Sequence, residues 1–125
     1  MRLLLDSHAL LWWLEDSPNL SRDAYDAIAE PQNQVAVSAV TVWELEIKRA
    51  TGKLKAPRQL LRRVGEENFT PLAITLEHGV AAGELPPHHG DPFDRMLIAQ
   101  ASLENLIVVT RDPRFANYAV KTLPA

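Results

Sequence analysis

Short apolar runs of strand length alternate along this chain with stretches of helical periodicity, and that alternation narrows the fold further than any other feature. Arg2 to Leu5, Gln34 to Val37, Phe69 to Ala73, Leu106 to Thr110 and Ala119 to Leu123 read as strands. Between them the spacing predicts helices over His8 to Leu14, Arg22 to Glu30, from Ser38 or Thr41 to Ala50, from Pro57 onward, over Leu76 to Glu84 behind a Thr75 cap, and from Asp91-Pro92 to about Glu104. Strands joined through helices pair in parallel, because a parallel pair needs a long crossover. The expected fold is α/β: a three-layer α/β/α sandwich around a central, mainly parallel sheet, as a single domain over residues 1–125.

With 125 residues, 46% of them hydrophobic, the chain can bury a core unaided. The absence of cysteine removes disulfide scaffolds, thiolate metal sites and cysteine nucleophiles. Asp6, Glu15 and Asp16 interrupt the apolar runs before any reaches membrane-spanning length, and the first residues lack a secretion signal, so no membrane association and a cytoplasmic location are expected. The net charge of −3 argues against a protein that holds nucleic acid merely by being basic. Yet Lys48, Arg49, Lys53, Lys55, Arg58, Arg62 and Arg63 follow one another without an intervening acid. Such a segment is either a solvated helical face or a surface for a polyanion.

In open parallel sheets ligands bind beyond the carboxyl ends of the strands. Asp6 ends the first strand there, and Asp112 follows the strand Leu106 to Thr110. Asp94 lies in the first turn of the helix opened by Asp91-Pro92, on the face shared with Ile98 and Ala101. Glu44 borders the apolar stripe Val40, Trp43, Ile47 and Ala50, as Glu46 does on its other side, and spacing does not choose between them. Each acid also has a plainer role, since Asp6, Asp91 and Asp112 all precede helical stretches that they can cap. Gathered together, unpaired carboxylates repel one another and call for cations. Mg²⁺, or Mn²⁺ in its place, takes such oxygen ligands and assists the attack of water on a phosphodiester.

Four segments resemble a known family: Leu3-Leu4-Leu5-Asp6-Ser7-His8-Ala9-Leu10-Leu11-Trp12, Val37-Ser38-Ala39 through Trp43-Glu44-Leu45, Asp91-Pro92-Phe93-Asp94-Arg95-Met96-Leu97-Ile98-Ala99-Gln100-Ala101, and Val109-Thr110-Arg111-Asp112-Pro113-Arg114-Phe115. In this order and spacing they resemble the PIN-domain proteins, specifically the VapC-type toxin ribonucleases, over essentially the whole chain. The resemblance implies a Mg²⁺-dependent endoribonuclease restrained by a cognate antitoxin and acting as a homodimer on tRNA or rRNA. It places the family's acids on Asp6, Glu44, Asp94 and Asp112, and so selects Glu44 over Glu46. Thr110 matches the family's hydroxyl two residues before the last acid, where it would orient a carboxylate or hold a water. Asp91 is expected to be a helix cap. Hydrolysis is expected to leave 5′-phosphate and 3′-hydroxyl ends.

Among the remaining polar and aromatic residues, His8 reads as a partly buried helix histidine, and His88-His89 as a solvent-facing pair in a proline-rich loop. Trp12, Trp13 and Trp43 lie on apolar stripes and read as packing residues. A phosphorylated signalling domain also carries an acid after its first strand, but it needs a second acid close behind and a lysine at a later strand end; Asp6 is followed by Ser7-His8, and Lys121 is the only lysine beyond Lys55. The alternative from another class is a non-catalytic protein-interaction module whose acids serve only as helix caps.

Overall fold

Leu3, Leu4 and Leu5 are wholly buried in β1 (Arg2–Leu5) and point alternately to the two faces of one sheet. The computed structural model describes residues 1–125. Its strands β2 (Gln34–Ser38), β3 (Thr70–Leu72), β4 (Ile107–Thr110) and β5 (Thr122–Pro124) join β1 in the order β3-β2-β1-β4-β5. All four pairings are parallel, with Leu4 opposite Ala36 on one side and Leu5 opposite Val109 on the other. Pro71 and Pro124 lie in the two outer strands, where a missing N–H costs the ladder least.

The connecting helices are α1 (Ser7–Leu14), α2 (Arg22–Ala29), α3 (Ala39–Ala50), α4 (Leu60–Glu66), α5 (Leu76–Glu84) and α6 (Pro92–Glu104), with a 3-10 helix over Pro113–Asn117. Leu3, Leu5, Val35 and Val37 pack against Leu10 and Leu14 of α1, Ala24 and Ile28 of α2, and Leu60 and Val64 of α4. On the opposite face Leu4, Ala36 and Val108 meet Leu97, Ile98 and Ala101 of α6 together with Phe115 and Tyr118. Each fully buried leucine of this kind contributes about 1.5–3 kcal/mol relative to exposure. The three-layer α/β/α architecture expected from the alternation is thus present, with a sheet that is parallel throughout. No helix is long and apolar enough to cross a membrane.

Local departures have identifiable causes. The helix expected from Pro57 begins at Leu60, because Gln59 before it takes a left-handed conformation (φ 59°). The last strand begins at Thr122, after a turn in which Val120 N–H donates to the Tyr118 carbonyl at 2.8 Å. In α3 the inward face is Val40, Thr41, Glu44 and Leu45, whereas Trp43, Ile47 and Ala50 point outward. Val40 joins one core and Leu45 the other, so α3 is buried along a stripe offset by one residue from the apolar one.

The basic segment is also less free than its composition suggests. Lys48 pairs with Glu44, Arg49 with Glu46 and Arg62 with Glu66, each acid lying one helical turn away. Arg63 donates to the Leu14 carbonyl at 2.7 Å. Lys53, Lys55 and Arg58 remain exposed.

Candidate active site

Because the strands run parallel, their carboxyl ends share one edge, and each helix that returns from that edge starts there. Asp6 ends β1; its backbone N–H reaches the Val109 carbonyl at 3.2 Å, and its Oδ1 caps α1 by accepting from Ala9 N–H at 2.9 Å. Ser38 ends β2 and caps α3 by accepting from Val40 N–H, which sets Glu44 on the inward face of that helix. Asp91 caps α6 through Oδ1, with Phe93 N–H at 2.8 Å and Asp94 N–H at 3.2 Å, and Pro92 occupies the first helical turn. Asp112 follows β4 and caps the 3-10 helix through Oδ1 and Arg114 N–H at 2.9 Å.

Asp6, Glu44, Asp94 and Asp112 thereby line one cleft of about 250 Å³, joined by Asp91. Lys48, Arg111 and Arg114 supply its cations, and Ser7, His8 and Trp12 complete the wall. Glu46, by contrast, lies outside the cleft and pairs with Arg49 at 2.6 Å. The four acids selected in the sequence come together, and the excluded glutamate stands apart.

The carboxyls of the cleft are shifted in opposite directions. Burial pushes the Asp94 carboxyl up to about 7, and the charges of Asp91, Glu44, Asp6 and Asp112 push the same way. Burial also raises Asp6, against the Thr110 hydroxyl and the Ala9 amide, which favour its ionised form. Asp112 goes the other way, held at about 2 by hydrogen bonds from Arg114, whose Nε and Nη2 reach Oδ1 and Oδ2 at 3.0 and 2.8 Å. Lys48 Nζ lies 2.7 Å from Glu44 Oε2, and that bond raises the lysine. Glu44 Oε1 is buried and has no hydrogen-bond partner. Capping accounts for one oxygen each of Asp6, Asp91 and Asp112, but for nothing at Glu44 or Asp94. A buried orphan oxygen among mutually repelling carboxylates, with no sulfur ligand present, fits a hard divalent cation.

Several residues differ from their expected surroundings. His8 is exposed at the cleft, 5.5 Å from the Trp12 ring, rather than partly buried, because position 8 faces away from the core that holds Ala9 and Leu10. Trp12 is half-buried in the cleft wall beneath the Arg111 guanidinium at 4.5 Å, while Trp13 packs between Tyr25 and Phe69 as expected. Trp43 is 59% exposed and meets Phe93 edge-on, so it lies at the surface rather than in a core. His88 is exposed, but its neighbour His89 is buried, with Nε2 2.9 Å from Asp94 Oδ2 and 3.1 Å from Asp112 Oδ2. Adjacent loop residues point in opposite directions, which composition does not reveal. Arg95 was also unforeseen: it donates to the carbonyls of Ala82, Leu85, Pro86 and His89 at 2.9–3.3 Å and clamps the loop that carries His89.

A wholly parallel sheet with acids gathered at its carboxyl edge, on a chain whose residues 3–121 match the PIN domain model, defines the class: the chain belongs to the PIN domain family. Within that family it is 32% identical over 119 residues to Ribonuclease VapC22 of Mycobacterium tuberculosis, spanning 93% of this chain and 91% of that protein. Its fold is similar to that in the crystal structure of VapBC2 from Rickettsia felis bound to a DNA fragment from their promoter, with a TM-score of 0.73, 16% identity and 98% of each chain covered. It is similar also to DNA-bound VapBC from Salmonella typhimurium, with a TM-score of 0.70, 18% identity, and 98% and 97% of the two chains covered.

Proposed function

We propose that this protein is the ribonuclease toxin of a toxin–antitoxin pair, an endonuclease that hydrolyses RNA phosphodiester bonds with Mg²⁺, or Mn²⁺ in its place, held by Asp6, Glu44, Asp94 and Asp112. The observation that carries the reading is the buried, unpartnered Glu44 oxygen in a cleft where burial, together with the other carboxylates, raises the Asp94 pKa to about 7. When bound, the ion neutralises the crowded carboxylates and offsets charge developing on the phosphodiester. Glu44 would either help hold the ion through its unpartnered Oε1 or accept the proton of the water that attacks phosphorus in line. Thr110, whose hydroxyl works against the burial that raises Asp6, would help to orient that carboxylate. Lys48 and Arg114 give the acidic cleft positive charge toward the phosphates of the substrate.

The likeness to Ribonuclease VapC22 supports RNA as substrate, and the VapBC neighbours support an antitoxin as partner. The active form is a cytoplasmic homodimer, and the target is a tRNA or rRNA. The test is cleavage of total RNA by purified protein, with the new ends mapped. Cleavage should need a divalent ion, leave 5′-phosphate and 3′-hydroxyl ends, and disappear in Asp6→Asn and Asp94→Asn variants that still fold. Cleavage that persists in chelator, or that leaves a cyclic phosphate, refutes the reading.

A further inference from the structure

His89 is 2% exposed, although it lies in a loop whose neighbours His88 and Gly90 face water. Its backbone N–H donates to the Tyr118 hydroxyl at 2.9 Å, and that hydroxyl donates to the Pro86 carbonyl at 2.6 Å. Its ring stands edge-on to Phe115, with centroids 5.9 Å apart. The imidazole is therefore held from behind, and its two nitrogens are both engaged.

The identity of each engagement decides what the ring can do. Asp91 N–H donates to Nδ1 at 3.2 Å, so Nδ1 is the acceptor. A neutral imidazole has one acceptor and one donor nitrogen, so Nε2 carries the hydrogen. That single N–H is directed at Asp112 Oδ2, 3.1 Å away, while Asp94 Oδ2, from a different element of the fold, lies 2.9 Å from the same nitrogen off the hydrogen-bond line. The ligand atoms of the three residues fall within 4.8 Å of one another, a spacing suited to a metal triad. Yet the ring has no lone pair on that side to give, and a tautomer that freed Nε2 would set Nδ1–H against the Asp91 N–H.

We propose that His89 is a positioning residue and not a ligand: its Nε2–H holds the Asp112 carboxylate beside Asp94, at the separation at which the two take up a divalent ion. Within the carboxylate-metal reading proposed above, it adds a buried donor behind the ligands. Residues that orient metal ligands in this way change affinity by about 10- to 100-fold when removed.

Glutamine and asparagine divide the two halves of the ring. A glutamine at 89 places an amide N–H near the Nε2 position, whereas an asparagine places a carbonyl oxygen near Nδ1 and leaves the carboxylates without a donor. Mn²⁺ binding to the full chain is measured by calorimetry for wild type, His89→Gln, His89→Asn and His89→Ala, with melting temperatures in parallel. Positioning predicts that His89→Gln keeps affinity within about 3-fold, while His89→Asn and His89→Ala lose about 10-fold or more. If His89→Ala does not fold, the contrast between glutamine and asparagine decides. Asparagine better than glutamine assigns His89 a purely structural role, and equal loss in all three variants assigns it as a ligand; either overturns the proposal, as does unchanged affinity throughout. Wild-type protein that binds no Mn²⁺ instead removes the metal reading on which the proposal rests.

Discussion

Without a divalent ion, the protein should lose stability as the pH rises through neutrality, and Asp94 should be the main cause. Its carboxyl titrates near 3.8 in an unfolded chain and at about 7 in the cleft. The folded state therefore binds the proton more tightly, so the contribution is fully present below the unfolded value and is lost as pH rises through the folded one. Full expression of that shift amounts to about 4 kcal/mol, of which about 3 kcal/mol falls between about pH 5 and pH 8. The side chain keeps 18% exposure in a cleft open to solvent, and screening there reduces the expected change to about 1–2 kcal/mol. Urea unfolding of wild type and Asp94→Asn in chelator, at both pH values, isolates the residue, because groups common to both proteins cancel in the double difference. Wild type should lose about 1–2 kcal/mol more than the variant on going to the higher pH. An equal loss, or a larger one in Asp94→Asn, refutes the claim that neighbouring carboxylates and burial crowd this group.

Three further perturbations address the cleft and its surroundings. Lys48→Met strips Glu44 of its only ion-pair partner, and the buried carboxylate left behind should cost the metal-free protein about 2 kcal/mol in urea unfolding, while the rise in melting temperature on adding Mn²⁺ becomes larger. Arg95→Ala removes the clamp on four carbonyls and should cost about 2–3 kcal/mol, with loss of proteolytic protection confined to the segment from Ala82 to Gly90. If the exposed cations serve RNA, replacing Lys53, Lys55 and Arg58 with alanine should weaken RNA binding and flatten its salt dependence, measured by fluorescence anisotropy across a salt series; an unchanged slope assigns them to another partner.

The elements of this fold were legible where one physical signal dominated. The alternation of strand-length and helix-length segments fixes the parallel sheet, and a parallel sheet brings Asp6, Asp112 and the first turns of α3 and α6 to one edge. Glu44 was different: the outward stripe Trp43, Ile47 and Ala50 looks like a core face by hydrophobicity, and only resemblance to relatives separated Glu44 from Glu46. The reason lies in burial from two cores at once, which selects Val40, Thr41, Glu44 and Leu45 irrespective of polarity. The basic segment misled for another reason. Counting charges between two positions ignores acids one helical turn outside them, and Glu44, Glu46 and Glu66 neutralise much of it. His89 left no local trace, because its burial depends on Tyr118 and Phe115, which reach it only through tertiary structure.

Capping and the proposed ion binding need not compete at Asp6, because the cap draws on one of its two oxygens. Asp6 spends Oδ1 on the Ala9 amide, whereas Asp112 accepts Arg114 N–H through Oδ1 and shares its Oδ2 between His89 and the Arg114 guanidinium. A strand that ends on an aspartate and leads straight into a helix fixes one oxygen by the cap, which presents the other at a set angle beyond the sheet. Asp6→Ser separates the two functions, since serine caps as well as aspartate does but has a single oxygen. Its stability in chelator should remain within about 1 kcal/mol of wild type, and the removal of one buried acid from beside Asp94 should offset any loss. Mn²⁺ affinity should nevertheless fall by more than the about 10-fold that loss of an orienting residue costs, because a direct ligand is removed. Retained affinity in a stable Asp6→Ser protein would mean that this aspartate is a cap and nothing else, and would leave Glu44 and Asp94 as the only uncapped acids of the cleft.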